Sequence, residues 1–149
     1  MSDMSSNTLD TQRLARERKA VETLYRAFNE QNPDLVDLAV TVDWDDIPLA
    51  PGQGPGPEGI KPIIREFVLA MPDVQIIVHD LLQLPGRIAV RAEIRGTHQG
   101  VLMGIAPTGK QISFSIHEFH ELDGERVTRT WHLEDWFGAF MQMGSFPAM

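Results

Sequence analysis

Apolar residues recur at helical spacing in the first half of the chain and at strand spacing in the second. Val21, Leu24, Tyr25 and Phe28 stand at i, i+3, i+4 and i+7, a single stripe that predicts a helix over roughly 12–30. Asn32-Pro33-Asp34 breaks it and opens a short second helix, with Pro33 in the first turn, where a missing N–H costs least. That helix would bury Leu35, Val36, Leu38 and Ala39. Residues 42–59, VDWDDIPLAPGQGPGPEG, are dense in proline and glycine and read as a loop. Too little chain precedes this loop for it to link two domains. Ile60, Ile63, Ile64, Phe67 and Met71 form the stripe of a third helix, with Pro62 in its first turns.

Beyond Met71 the period drops to two. Residues 74–84 and 87–97 are strand-like runs joined at Pro85-Gly86, and 111–122 and 125–135 are two more, joined at Asp123-Gly124. Ala106-Pro107-Thr108-Gly109 has the composition of a turn between the pairs. An apolar helix over 136–143 ends at Gly144. Helices first and strands after predict an α+β domain: a curved antiparallel sheet with helices packed on one face. Residues 1–10 read as a disordered lead and 11–149 as one domain.

Composition narrows the partners. The net charge of −8 opposes binding to nucleic acid or to an anionic membrane, both of which need a positive footprint. No apolar run approaches the ~20 residues of a membrane helix. The chain has no cysteine, so thiolate chemistry is absent and a cytoplasmic location is expected. No repeat, phosphate loop, HExxH motif or GxSxG elbow occurs.

Candidate chemistry centres on Arg129–Trp136, RTWHLEDW. His132 shares a strand face with Thr128, Thr130 and Glu134, opposite Trp131 and Leu133. On the preceding strand, Gln111, Ser113, Ser115, His117 and Phe119 form the polar set. A concave sheet would bring Ser115, His117 and His132 into one partly buried pocket. An imidazole with a pKa near ~6.5 is suited to serve as a general base, and His117 or a serine would donate to a developing enolate. A metal site is not expected: His117 and His120, the one pair at ligand spacing, point to opposite faces of a strand. Asp135 is either an acid of the site or the N-cap of the last helix. His98, between glycines, either reaches the pocket or bonds backbone. Trp44 is a candidate pocket wall and Asp46 a second catalytic acid, while Met103 and Phe119 are candidate apolar contacts.

Gly96-Thr97-His98-Gln99-Gly100, then Gly104 to Lys110, then Asp123-Gly124, Trp131-His132-Leu133-Glu134-Asp135 and Gln142-Met143-Gly144 together resemble the SnoaL-like polyketide cyclases, or ester cyclases, over about 21–144. The resemblance implies a cone-shaped α+β barrel of the nuclear-transport-factor kind, with the sheet wrapped around N-terminal helices and an internal pocket. It implies cofactor-free acid–base catalysis of an intramolecular aldol closure on a hydrophobic carbonyl compound, in a homodimer or tetramer. The family's catalytic aspartate falls on His132 and its pocket histidine on His117, with Asp135 the next acid. Two other readings share the cone. One is a binding module without catalysis. The other is an enzyme like limonene epoxide hydrolase, which needs an acid–Arg–acid set, or like ketosteroid isomerase, which needs a Tyr/Asp donor pair.

Overall fold

The computed structural model describes residues 3–148. Helix α1 (Asp3–Asn29) presents Val21, Leu24 and Tyr25 to the core, as its apolar stripe requires. It begins earlier than the stripe does. Residues 3–10, expected as part of a disordered lead, are its first turns, and Met1 and Ser2 lie outside the described residues. Asn32 caps the next turn by accepting from the Asp34 N–H at 3.2 Å. A 3-10 turn (Pro33–Leu35) then runs into the single turn of α2 (Val36–Ala39), which buries Val36 and Ala39 but leaves Leu38 exposed.

Strand β1 (Val40–Ile47) follows, where a loop was expected. Its alternation is hidden in the sequence because its inward positions are Trp44 and Asp46 while Val42 points to solvent. It is an edge strand, and its exposed acids Asp43 and Asp45 suit an edge that must not pair with another chain. The proline- and glycine-rich segment shrinks to 48–55 and folds back on α3 (Gly56–Ala70). Gly59 is obligatory there, since a Cβ on it would lie 1.7 Å from the Gly54 carbonyl oxygen.

Strands β2 (Gln75–Leu84), β3 (Arg87–Thr97), β4 (Gln111–Leu122) and β5 (Val127–Glu134) form the expected meander. The sheet order is β1-β5-β4-β3-β2, and β1 runs parallel to β5, so the curved, unclosed sheet is mixed and not purely antiparallel. Helix α4 (Trp136–Met143) closes the chain. One face of the sheet is the core: Val90, Ala92 and Ile94 of β3 and Ile112, Phe114 and Ile116 of β4 cluster with Val21, Ile64 and Met71. Each of these buried Val, Ile, Phe and Met side chains contributes roughly 1.5–3 kcal/mol of apolar burial.

The glycine-bracketed histidine explains itself in this frame. A Cβ on Gly96 would press on Met71 at 2.9 Å, and one on Gly100 would lie 2.4 Å from the Leu69 carbonyl oxygen. Between them His98 is fully buried, and its Nδ1 accepts from the Thr108 N–H at 3.3 Å and contacts Thr108 Oγ1 at 3.0 Å. His98 therefore staples the 98–110 excursion and stands as a backbone-bonding residue. Gln142 is comparable: its side-chain amide bonds both the N–H (2.8 Å) and the C=O (2.7 Å) of Ser113, continuing the ladder where β5 has ended.

Candidate active site

Pairing between β4 and β5 decides which groups meet. Glu118 lies opposite His132, while His117 lies opposite Leu133 and Phe119 opposite Trp131. Directly opposed residues of an antiparallel pair share a face. The apolar run Ile112, Phe114, Ile116 claims the inner face, so Glu118 and His120 continue on it and His117 cannot. The expected convergence of Ser115, His117 and His132 is thus corrected: Ser115, His117 and Phe119 are exposed on the outer face. Met103 sits at a turn in the 98–110 excursion, 40% exposed. The Asp135 carboxylate accepts from the Gly138 N–H at 2.9 Å and is the N-cap of α4.

The inner face itself changes character along β4, from apolar to ionisable. His132 is the hub of the polar end. Its Nε2 bonds the Pro48 carbonyl oxygen at 2.7 Å, its Nδ1 bonds Glu134 Oε1 at 2.6 Å, and Asp46 Oδ1 lies 3.4 Å from Nε2. A carbonyl only accepts, so Nε2 carries a proton; a carboxylate only accepts, so Nδ1 carries the other. His132 is an imidazolium. Burial opposes that charge, but the hydrogen bond and charge of Glu134, with Asp46 and Glu118, outweigh it and carry the pKa up to about 9.

Asp46 is buried, and burial pushes its pKa up, against the Gln53 side chain that donates to Oδ2 at 2.8 Å and the charge of His132. Gln53 is itself held by the Ala50 N–H at 2.9 Å. Glu118 has no such donor. Burial raises its pKa to about 8, the charge of His132 lowers it, and the charges of Glu134 and Asp46 raise it further. Behind it, His120 is held neutral: burial and the neighbouring His132 cation push it down to about 3. Its ring is gripped at both nitrogens, by Tyr25 Oη at 3.1 Å from Nε2 and Thr130 Oγ1 at 2.9 Å from Nδ1. Trp44 Nε1 donates to the same Thr130 oxygen at 3.1 Å.

His132, Asp46 and Trp44 are the sequence candidates that the fold brings together. Glu118, His120, Thr130, Tyr25 and Gln53 join them unforeseen. Ile112, Phe114, Ile116, Glu118 and His120 form one set by parity, and its apolar start directs the expected pocket to the opposite, polar set, whereas the fold turns this set toward His132. The cluster opens at one end, with the side chains of His132 and Glu134 17% and 20% exposed and that of Asp46 only 5%. Two clefts lie elsewhere. One of about 410 Å³ occupies the bulge between β1 and β5, by Trp44, Pro55, Thr128 and Arg129, and one of about 150 Å³ adjoins Asp73, Arg95 and Gln111. Neither takes a wall from His132 or Glu118. An acid–Arg–acid set exists at Asp45, Arg129 and Glu121, with contacts of 3.3 and 3.5 Å, and all three line the larger cleft on the outer face, where Arg129 and Asp45 stay about half exposed and pair with each other. Among the described residues no three His, Asp or Glu side chains are arranged to hold a metal ion, and no helix is long and apolar enough to cross a membrane.

Helices packed on a curved sheet, with an acid–base cluster at one end of the inner face, define a cone-type α+β domain with a built polar site. The sequence matches the family model of the SnoaL-like polyketide cyclases over residues 18–143, and the chain belongs to that family. No match to a curated protein is found. Among solved structures it is similar to TsrD from Streptomyces laurentii, with 21% identity, TM-score 0.81, and 89% of this chain and 97% of that one covered. It is also similar to a proposed polyketide cyclase from Bacillus cereus ATCC 10987, with 26% identity, TM-score 0.73 and coverage of 84% and 78%. A third likeness is to IdmH, a proposed polyketide cyclase from Streptomyces antibioticus, with 24% identity, TM-score 0.75 and coverage of 87% and 99%.

Proposed function

We propose that this protein is a cofactor-free acid–base enzyme acting on a hydrophobic carbonyl compound of polyketide type, closing a ring by an intramolecular aldol step. The observation that carries the reading is the pairing of a fixed imidazolium, His132, with a buried carboxylate, Asp46, at the open end of the inner face. Asp46 is the base. It takes a proton from the carbon alpha to a carbonyl, the C–H electron pair moves into the new C=C bond, and the carbonyl oxygen becomes an enolate. His132 supplies fixed positive charge beside that oxygen, which a site shielded from water makes more effective. The enolate carbon then attacks a second carbonyl of the same molecule, and the alkoxide recovers the proton from Asp46. His132 is thus a positive anchor and not the free base that its residue type alone would indicate.

The working assembly in this reading is a homodimer in the cytoplasm. Leu82, Ala89, Phe119, Trp131 and Ile47 form one cross-strand row over the outer face, an apolar band suited to a second copy of the chain.

The test is hydrogen–deuterium exchange at the α-carbon of an aryl β-keto ester in D2O, followed by proton NMR. Wild type is expected to exceed the buffer rate, and Asp46→Asn to lose roughly 10²–10⁴-fold of that excess. Exchange no faster than buffer would leave a binding module without catalysis as the correct reading.

A further inference from the structure

Glu118 is the acid of the cluster to which the proposed reaction gives no task. It lies on the inner face of β4, directly across the ladder from His132. Its neighbours are His132 and Glu134 from β5, Asp46 from β1, Tyr25 from α1 and His120 on its own strand. Both N–H groups of His132 are already engaged, by Glu134 and the Pro48 carbonyl, so that cation lends Glu118 charge but no hydrogen bond. Among the described residues its one polar contact is His120 Nε2, 3.5 Å from Oε2, and that ring is neutral. A buried carboxyl without a cationic partner keeps its proton. A protonated carboxyl is a hydrogen-bond donor, and among the described residues this one forms no hydrogen bond, its nearest polar neighbour being His120 Nε2 at 3.5 Å. Its side chain is 11% exposed, on the same face as His132.

We propose that the Glu118 carboxyl is the donor that binds the substrate's carbonyl oxygen and stabilises it as it becomes the enolate. This rests on the acid–base reading of the same site and gives its two buried carboxyls opposite tasks. Asp46, bonded by Gln53 and close to the His132 cation, is the one that ionises and takes the proton from carbon. Glu118 keeps its own proton throughout and shares it with the oxygen. Two carboxyls whose surroundings push them apart are the usual way a site obtains an acid and a base from one residue class. His120 is a positioning residue: Thr130 and Tyr25 fix its ring, which in turn backs the Glu118 oxygen.

The probe is 3,4-dinitrophenolate, an oxyanion at neutral pH, read by absorbance. Glu118→Leu is expected to weaken its binding roughly ten- to hundredfold, the value of a hydrogen bond to a charged group. Glu118→Gln, which keeps an N–H donor, should stay within about threefold of wild type. In the exchange assay, wild-type kcat/KM should fall as pH rises through about 8, and Glu118→Gln, slower at neutral pH, should lose that limb. Infrared spectra at pH 7 should show a protonated-carboxyl band that disappears in Glu118→Gln, a readout that does not depend on the Leu variant folding. The proposal is overturned if wild type binds the phenolate no better than Glu118→Leu, if the band is absent, or if the rate climbs through pH 8. Phenolate binding and the band without any exchange would retain the donor and remove the aldol reading. Exchange without them would do the reverse.

Discussion

His117 and His120 stand three residues apart on one strand and live in different media. His117 is on the outer face, exposed, beside Leu133 and Arg91. His120 is on the inner face, 1% exposed, gripped by Tyr25 and Thr130 and driven to neutrality. The same contrast separates Glu121 from Glu118. Glu121 pairs with Arg87 at 2.9 Å in a solvent-reached row of charges, whereas Glu118 has no cation bonded to it and its pKa rises to about 8. Residue type offers chemistry on both faces. Exclusion of water, and the exhaustion of the one nearby cation, select the face on which that chemistry is perturbed enough to use.

The largest effect is expected at His132, the hub of the buried cluster. His132→Ala would leave Glu134, Asp46 and Glu118 facing one another with no positive charge between them. We expect a loss of about 3 kcal/mol in urea denaturation, as for removal of one partner of a buried ion pair, together with loss of α-exchange. His117→Ala, by the same logic, should change stability by less than about 0.5 kcal/mol and leave exchange untouched. Equal effects from the two variants would abolish the distinction between the faces.

A smaller difference between the two faces is expected in the pH dependence of stability. Glu118, raised from 4.5 to about 8, makes the native state hold a proton that the unfolded chain has released, so stability falls as pH rises across that window. His132, raised from 6.5 to about 9, contributes stability that is complete below 6.5 and gone above 9. His120, lowered to about 3, acts in the other direction, and its share is lost as pH falls from 6.5 towards 3. The urea midpoint should therefore decline on the alkaline side of pH 6.5. In Glu118→Gln the decline between 6.5 and 8 should shrink while that up to 9 remains.

Periodicity made most of the fold legible. The stripe Val21-Leu24-Tyr25-Phe28, the third helix and the two hairpins stand where the pattern puts them. Strand β1 escaped because its inward residues are Trp44 and Asp46, and an aspartate does not read as a core position. The site was half legible. His132 was placed on the correct face from its own strand, but the choice of face on β4 followed polarity. The fold gives the inner face to Ile112, Phe114 and Ile116 and keeps that parity through Glu118 and His120. Register between β4 and β5 fixes which of the two sets meets His132, and register is a property of pairing that neither strand carries alone.

Nitrogen-15 NMR of the imidazole rings decides whether His132 is a cation at neutral pH, held by Glu134 and the Pro48 carbonyl within a cluster of acids. Both ring nitrogens of His132 should be protonated at pH 7 and release a proton only near pH 9. A His132 that titrates at or below its ordinary 6.5, with one bare nitrogen at pH 7, would contradict this and return that residue to the role of free base.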